Sequence, residues 1–302
     1  MDILVFGAGA MGSFFGGLLS VRHDVTLIGR EDHMKAVRVH GLRMTGKTVR
    51  VMRPRSATRI PRDAQPELVI IATKSYDTSD AMRSLRRFGS TAVFLTLQNG
   101  IDNANLIART ARRVIAGTTA HGVTYLGPGE IRHAGLGDTT IGAWTKVDES
   151  TVVRLRDLLD EAGIRTRITA DVRSELWAKL VVNAAINPLA ALAGVPNGRL
   201  VEDPALRRLL EDVARETAGV ARAAGARVDA EDLVRRTRLV ARRTATNRAS
   251  MLQDLDRGRR TEIDAITGAV LREAEKAGVE TPVNRVLFAL VKAREATLLP
   301  PR

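Results

Sequence analysis

The sequence predicts two parts in series, an α/β domain over residues 1–170 and an all-α domain over residues 171–302. Three observations predict it. The chain opens on a short apolar run, followed at once by a glycine-rich turn and a helical stretch. Apolar runs of strand length then alternate with stretches of helical length as far as about residue 168. From Asp171 onward the strand pattern stops and only helical periodicity with its caps remains. At 302 residues the chain exceeds a typical single domain, so each part is long enough to bury its own core.

Residues 1–6 are apolar enough for a buried parallel strand, and Gly7-Ala8-Gly9-Ala10-Met11-Gly12 follows directly. This is G-x-G-x-x-G between a strand and a helix, the setting in which the pattern carries a mechanism. The first glycine allows the tight turn, the second a close backbone approach to a pyrophosphate, and the third close helix–strand packing, while the helix N-terminus offers N–H groups to the anion. A helix over 11–20 and a strand over 25–28 complete the unit and predict a Rossmann-type dinucleotide-binding domain. The second strand ends in Gly29-Arg30 rather than in the carboxylate that suits a ribose 2′-hydroxyl. Arg30 can form charge-assisted bonds to a 2′-phosphate, which favours NADP(H), although Glu31 and Asp32 follow at once. The plain alternative is a solvated surface arginine.

A helix over 32–39, ended by Gly41, precedes paired short strands over 42–44 and 48–52. Residues 67–72 read as a buried strand whose carboxyl end carries Lys74, a second candidate partner for the cofactor's phosphate or else a solvated loop lysine. A helix over 77–87 leads to a strand over 92–96, which ends in Gln98-Asn99-Gly100. Asn-Gly can be a turn and no more, yet Asn99 stands at the same sheet edge, within reach of a nicotinamide ribose or a substrate carbonyl. Beyond a helix over 103–110 and a strand over 114–117, residues 121–126, 130–133 and 139–142 read as antiparallel strands capping the sheet. His121 and His133 have no ligand-like spacing and are read as structural; no metal site is expected. A helix over 150–162 and a strand over 164–168 end the first part.

Composition narrows the function classes. With no cysteine the chain has no disulfide, thiolate metal site or thiol nucleophile. No apolar run approaches the ~18 residues of a membrane span, and no export signal precedes the first strand, so no membrane partner and a cytoplasmic location are expected. The net charge is +13. Its arginines are scattered, as in Arg207-Arg208, Arg235-Arg236, Arg242-Arg243 and Arg259-Arg260, without a basic tail or an aromatic stacking platform. They read as solvated helix faces, and no specific nucleic-acid partner is expected; the positive field would draw in anionic ligands.

In the second part, Asp203-Pro204 should cap a helix to Gly225, Asp229 one to about Arg243, and Thr281-Pro282 another, Gly278 closing the one before. The stretch Trp177 to Pro188 carries the chemistry. Lys179, Asn183 and Asn187 fall at i, i+4 and i+8, a polar stripe on an otherwise apolar helix. A partly desolvated lysine has a lowered pKa. Such an ammonium stabilises the charge that grows on a ketone oxygen during hydride transfer and delivers the proton. The alternative is a solvent-facing stripe. Pro188 should kink the helix or start a new segment. Residues 249–254 and 260–264 should flank a short helix, with Ser250 a cap and Glu262 a carboxylate at a helix N-terminus.

Taken together, Gly7 to Gly12, Gln98-Asn99-Gly100, Ile131-x-His133-x-Gly135-x-Gly137, Lys179-x3-Asn183-x3-Asn187-Pro188, Pro196-Asn197-Gly198, Ser250-Met251-x-Gln253-Asp254 and Thr261-Glu262-Ile263-Asp264 resemble, in order and approximate spacing, the motifs of the ketopantoate reductase (2-dehydropantoate 2-reductase) family. The resemblance spans almost the whole chain. It implies a Rossmann domain plus a helical domain with the active site in the cleft between them, and reduction of 2-dehydropantoate to (R)-pantoate by NADPH on the route to pantothenate and coenzyme A. By the same resemblance Lys179 is the general acid, and Glu262 holds the substrate's hydroxyl or lies beside the cofactor. Asn183, Asn187, Asn197 and Ser250 bind the 2-oxo acid, Ser250 through its carboxylate. Asn99 touches both ligands; Gly7, Ala8, Gly9, Ala10, Met11 and Gly12 hold the pyrophosphate, and Arg30 and Lys74 the 2′-phosphate. A homodimer is left open. The motifs define a short 2-oxo acid site better than they define ketopantoate, so a related reductase of another such acid, or a non-catalytic NADP(H)-binding sensor, remain the alternatives.

Overall fold

The computed structural model describes residues 1–298. Two compact units emerge, one of residues 1–98 and 103–172, the other of residues 99–102 together with 173 onward.

In the first unit the chain runs β1 (Asp2–Phe6), α1 (Ala10–Leu19), β2 (Asp24–Ile28), α2 (Glu31–His40), β3 (Leu42–Gly46), β4 (Arg50–Met52), β5 (Arg55–Ala57), β6 (Leu68–Ile71), α3 (Thr78–Leu85), β7 (Val93–Thr96), α4 (Asn103–Ala108), β8 (Arg113–Thr119), β9 (Gly122–Gly127), β10 (Glu130–Gly135), β11 (Thr139–Ala143), α5 (Glu149–Glu161) and β12 (Thr166–Ile168). The main sheet has the order β12-β11-β8-β7-β6-β1-β2-β5. Strands β5, β2, β1, β6, β7 and β8 are mutually parallel, whereas β11 pairs antiparallel with β8 and β12 lies parallel to β11, so these two run opposite to the rest. Side chains alternate between the faces of a strand. Ile3 and Val5 therefore join one core with Phe14, Phe15 and Leu19 of α1, whereas Leu4 joins a second with Met82 and Leu85 of α3. Both faces are covered, which is why these strands read as continuous apolar runs. Each fully buried Ile, Leu or Phe contributes roughly 1.5–3 kcal/mol.

Several expectations need correction here. Strands β9 and β10 leave the main sheet and form a second one, ordered β4-β3-β10-β9, in which β10 lies parallel to β3. Strand β5 extends the main sheet beyond β2 although Arg55-Ser56-Ala57 carries no apolar signal. The helix expected over 77–87 is a short α-helix with a 3₁₀ turn at each end, over Ser75–Asp77 and Arg86–Phe88. His121 and His133, read as structural, lie together: His121 Nδ1 is 3.0 Å from His133 Nε2, and Thr48 Oγ1 2.9 Å from His133 Nδ1.

The second unit is helical: α6 (Val172–Ala193, whose first residue belongs to the first unit), α7 (Arg199–Glu202), α8 (Pro204–Ala223), α9 (Ala230–Arg243), α10 (Ser250–Asp256), α11 (Thr267–Ala277) and α12 (Pro282–Leu298). Asp203 caps α8 by accepting from the N–H groups of Ala205 and Leu206 at 2.8 and 3.0 Å, and Asp229 caps α9 by accepting from Asp232 at 2.6 Å. Helix α11 ends at Gly278, whose φ of 65° is left-handed. Helix α6 is long and apolar enough to cross a membrane, yet Leu180, Val181, Ala184 and Ala185 pack in the core with α8, α9 and α12. It also continues past Pro188 as one helix, so no new segment starts there. Core packing on every side outweighs the lost N–H bond. Residues 250–256 are themselves the short helix, with Ala249 at its N-cap, so Ser250 is its first residue and not its cap. Glu262 sits in the turns before α11, not on a helix. Arg207, Arg208, Arg235, Arg236, Arg242 and Arg243 are exposed.

Candidate active site

The glycine loop is shaped by contacts that leave no room for side chains. Gly7 has φ of 103°, and a Cβ there would lie 2.5 Å from the Thr73 backbone nitrogen; at Gly12 it would lie 2.2 Å from the Gly7 carbonyl oxygen. Gly9 differs, since a Cβ there would meet nothing within 4 Å. The fold itself does not require glycine at position 9, and its bare backbone faces open space at the start of α1, where the first-turn N–H groups have no intrahelical acceptor. This cradle fits a pyrophosphate.

Strand parallelism brings three further groups to the same edge. Arg30 follows β2 and Lys74 follows β6, the two strands that flank β1, and Gln98 follows β7 on the far side of β6, all at carboxyl ends. Arg30 is exposed and occupies the N-cap of α2, while Lys74 is half-buried and precedes the 3₁₀ turn. Glu31 and Asp32 fall in the first turn of α2, where they complement its dipole. Gln98 is held by a network of its own. Its Nε2 donates to the Thr73 carbonyl at 2.9 Å and to Thr78 Oγ1 at 2.9 Å, and its Oε1 accepts from Thr96 Oγ1 at 2.9 Å. It holds the turn that carries Lys74.

In the helical unit, α6 presents Lys179 and Asn183 half-buried and Asn187 buried, so the stripe does not face open solvent. The 99–102 segment joins them because Gly100, at φ of 92°, lies so close to Ala265 that a Cβ would stand 2.6 Å from its carbonyl oxygen. Asn99 Nδ2 consequently donates to Glu262 Oε2 at 3.0 Å, and Asn183 Nδ2 approaches Asn99 Oδ1 at 3.4 Å. Asp102 Oδ2 accepts from Arg272 at 2.7 Å and ties down the other end of the segment. Burial pushes the Lys179 ammonium down from 10.5 to about 8, against the opposing pull of the Glu262 carboxylate. Glu262 is itself buried, and the adjoining Thr261 N–H donates to the buried Glu295 at 2.6 Å.

Lys179, Asn183, Asn99 and Glu262 thus form one group. Asn197 is held elsewhere, by Thr244, and Ser250 is exposed, with no hydrogen bond from either to this group among the described residues. Asp102, Arg272, Thr244 and Glu295 carry no role that the sequence alone reveals, because the partners that give them one lie far away in the chain. An amine poised near neutrality beside a carboxylate, with amides able to donate and accept, can protonate an oxygen on which charge develops.

Comparison with known proteins identifies the family. The family model described as "Ketopantoate reductase PanE/ApbA" matches residues 3–146, and "Ketopantoate reductase PanE/ApbA C terminal" matches residues 171–295. A 2-dehydropantoate 2-reductase of Halobacterium salinarum is 42% identical over 298 residues, covering 97% of this chain and 98% of that protein. The crystal structure of a PanE/ApbA family ketopantoate reductase from Ralstonia eutropha superposes with a TM-score of 0.91 at 32% identity, covering 99% of both chains. D-mandelate dehydrogenase, solved with NADH and anilino(oxo)acetate, superposes with a TM-score of 0.94 at 26% identity over 99% of both chains. The chain belongs to the ketopantoate reductase family.

Proposed function

We propose that this protein reduces 2-dehydropantoate to (R)-pantoate with NADPH. The observation that carries the reading is Lys179, an amine lowered by burial to about 8 and kept cationic by Glu262. When bound, the reduced nicotinamide supplies a hydride to the keto carbon. The chain's own residues do the rest. The Lys179 ammonium stabilises the negative charge on the former keto oxygen and transfers its proton there from Nζ. Glu262 keeps that amine protonated at neutral pH, and Asn99 holds the Glu262 carboxylate while remaining able to touch both ligands. Asn183, Asn187 and Asn197 orient the substrate, and the Ser250 hydroxyl donates to its carboxylate.

The residues from Gly7 to Gly12 hold the pyrophosphate, supported by the glycine-only contacts at Gly7 and Gly12 and the open backbone at Gly9. Arg30 and Lys74 clamp the 2′-phosphate from either side of β1, which makes NADPH the preferred reductant. The test is loss of NADPH absorbance on mixing with 2-dehydropantoate. Turnover supports the reading; turnover of a different 2-oxo acid alone, or NADPH binding without turnover of any, overturns it. A second reading, reduction of another 2-oxo acid, draws on the likeness to D-mandelate dehydrogenase, and a substrate panel separates the two.

A further inference from the structure

We infer that Glu295 is a positioning residue: through the Thr261 N–H it fixes the turn that presents Glu262 to Lys179. Only the kinetic consequence rests on the proposed function, in which Lys179 is the proton donor.

Helix α12 buries Asn284, Leu287, Val291 and Glu295, which fall at i, i+3, i+7 and i+11 on one face. Leu287 and Val291 pack in the core of the helical unit, and Glu295, 4% exposed, continues their stripe with a carboxylate. Packing alone does not call for it, since an apolar side chain would be buried there without the cost of desolvating a charge. Its partners show what the carboxylate does. Glu295 Oε1 accepts from the Thr261 N–H at 2.6 Å, and Oε2 lies 3.3 Å from Lys292 Nζ, one turn earlier on α12. Lys292 in turn reaches Asp264 Oδ2 at 3.1 Å, where Arg260 also donates at 3.0 Å. One helix thus anchors the turn on both sides of Glu262.

Within the turn, the Glu262 carbonyl accepts from the Ala265 and Ile266 N–H groups at 3.0 Å each, and Thr261 Oγ1 accepts from the Ile263 N–H at 3.1 Å. Thr261 is fully buried. Removing the acceptor from its N–H would leave that group without protein or water to bond, so the backbone entering Glu262 would have to shift. The charges around the turn are engaged among themselves: Arg260 and Lys292 with Asp264, Lys292 with Glu295, and Arg272 with Asp102. Burial lowers the Lys179 amine, and the carboxylate that raises it is that of Glu262. An effect of Glu295 on the amine therefore passes through the position of Glu262.

The experiment titrates Lys179 by NMR in protein carrying carbon-13 at lysine Cε, its signal identified by loss in Lys179→Ala, and follows kcat/KM against pH with NADPH and 2-dehydropantoate. In Glu295→Leu the titration and the falling limb should both move about 0.5–1 unit below the wild-type value of about 8, a loss of about two- to fivefold in kcat/KM at pH 8. Glu295→Gln, which keeps an oxygen for the Thr261 N–H, should stay within about 0.3 unit of wild type. Added to Glu262→Gln, Glu295→Leu should move the titration no further. Glu295→Asp, which keeps the charge but draws the oxygen back by one methylene, replaces the leucine variant should that not fold, with a shift in the same direction expected. A lowered Tm with Lys179 still titrating near 8, equal shifts in Glu295→Gln and Glu295→Leu, or a shift that persists without the Glu262 carboxylate overturns the inference. Titrations that move as expected in a protein that does not turn over 2-dehydropantoate defeat the functional reading alone.

Discussion

Glu262→Gln isolates the electrostatics of the amine while preserving side-chain volume and an oxygen to accept from Asn99. Lys179 stands at about 8 because burial lowers it and the Glu262 carboxylate raises it. Loss of one opposite charge at close range lowers a pKa by about 1–3 units, so in the variant the amine should titrate at about 5–7. Raising pH deprotonates the amine and removes the proton donor, so kcat/KM falls as pH passes the pKa of the free enzyme. The falling limb should therefore lie near 8 in the wild type and move to about 5–7 in Glu262→Gln, costing at least about fivefold at pH 8. Following NADPH absorbance from pH 5 to 10 at saturating cofactor measures both limbs. A limb that stays at 8 in the variant, or moves upward, would refute the coupling of these two groups.

The glycine loop gives a paired test. Gly12→Ala should lower Tm, because its Cβ would stand 2.2 Å from the Gly7 carbonyl oxygen, whereas Gly9→Ala, with nothing within 4 Å, should leave Tm near wild type and weaken NADPH binding in a fluorescence titration. Arg30→Ala should weaken NADPH binding by about 1.5–3 kcal/mol, one charged hydrogen bond, with little change for NADH; equal losses for both cofactors would remove Arg30 from the 2′-phosphate. The histidines set an acid limit on stability. Burial holds His33 below its usual value and His121 at about 4, so the stabilisation is complete above 6.5, the value in the unfolded chain, and is lost as pH falls toward 4. His121→Gln should flatten the decline of urea stability over that range; an unchanged pH dependence would contradict it.

What the sequence reveals follows from the range of the interactions. Strands β1, β2, β6 and β7 are legible because both of their faces are buried, which makes them continuous apolar runs, and G-x-G-x-x-G is legible because its steric demands are local. The second sheet is not, since β10 pairs with β3 across nearly ninety residues and nothing in Glu130-Ile131-Arg132-His133 names its partner. The α6 stripe shows in the spacing of Lys179, Asn183 and Asn187, whereas the new segment expected at Pro188 does not form, because a packed core keeps the helix continuous there. Asn99 could be singled out at a sheet edge, yet its pairing with Glu262 depends on Gly100 pressing against Ala265, a contact 165 residues away in sequence. Glu262 lies in the turns before α11 rather than at a helix N-terminus, and Ser250 is the first residue of α10 rather than its cap, because periodicity marks helix interiors and not their exact ends.

The most direct test of the central claim is the rate of Lys179→Ala with NADPH and 2-dehydropantoate, alongside its affinity for NADPH. The account predicts a kcat lower by roughly 10²–10⁴ with cofactor binding nearly intact, the signature of a lost proton donor. A variant that reduces the substrate at close to the wild-type rate would contradict it.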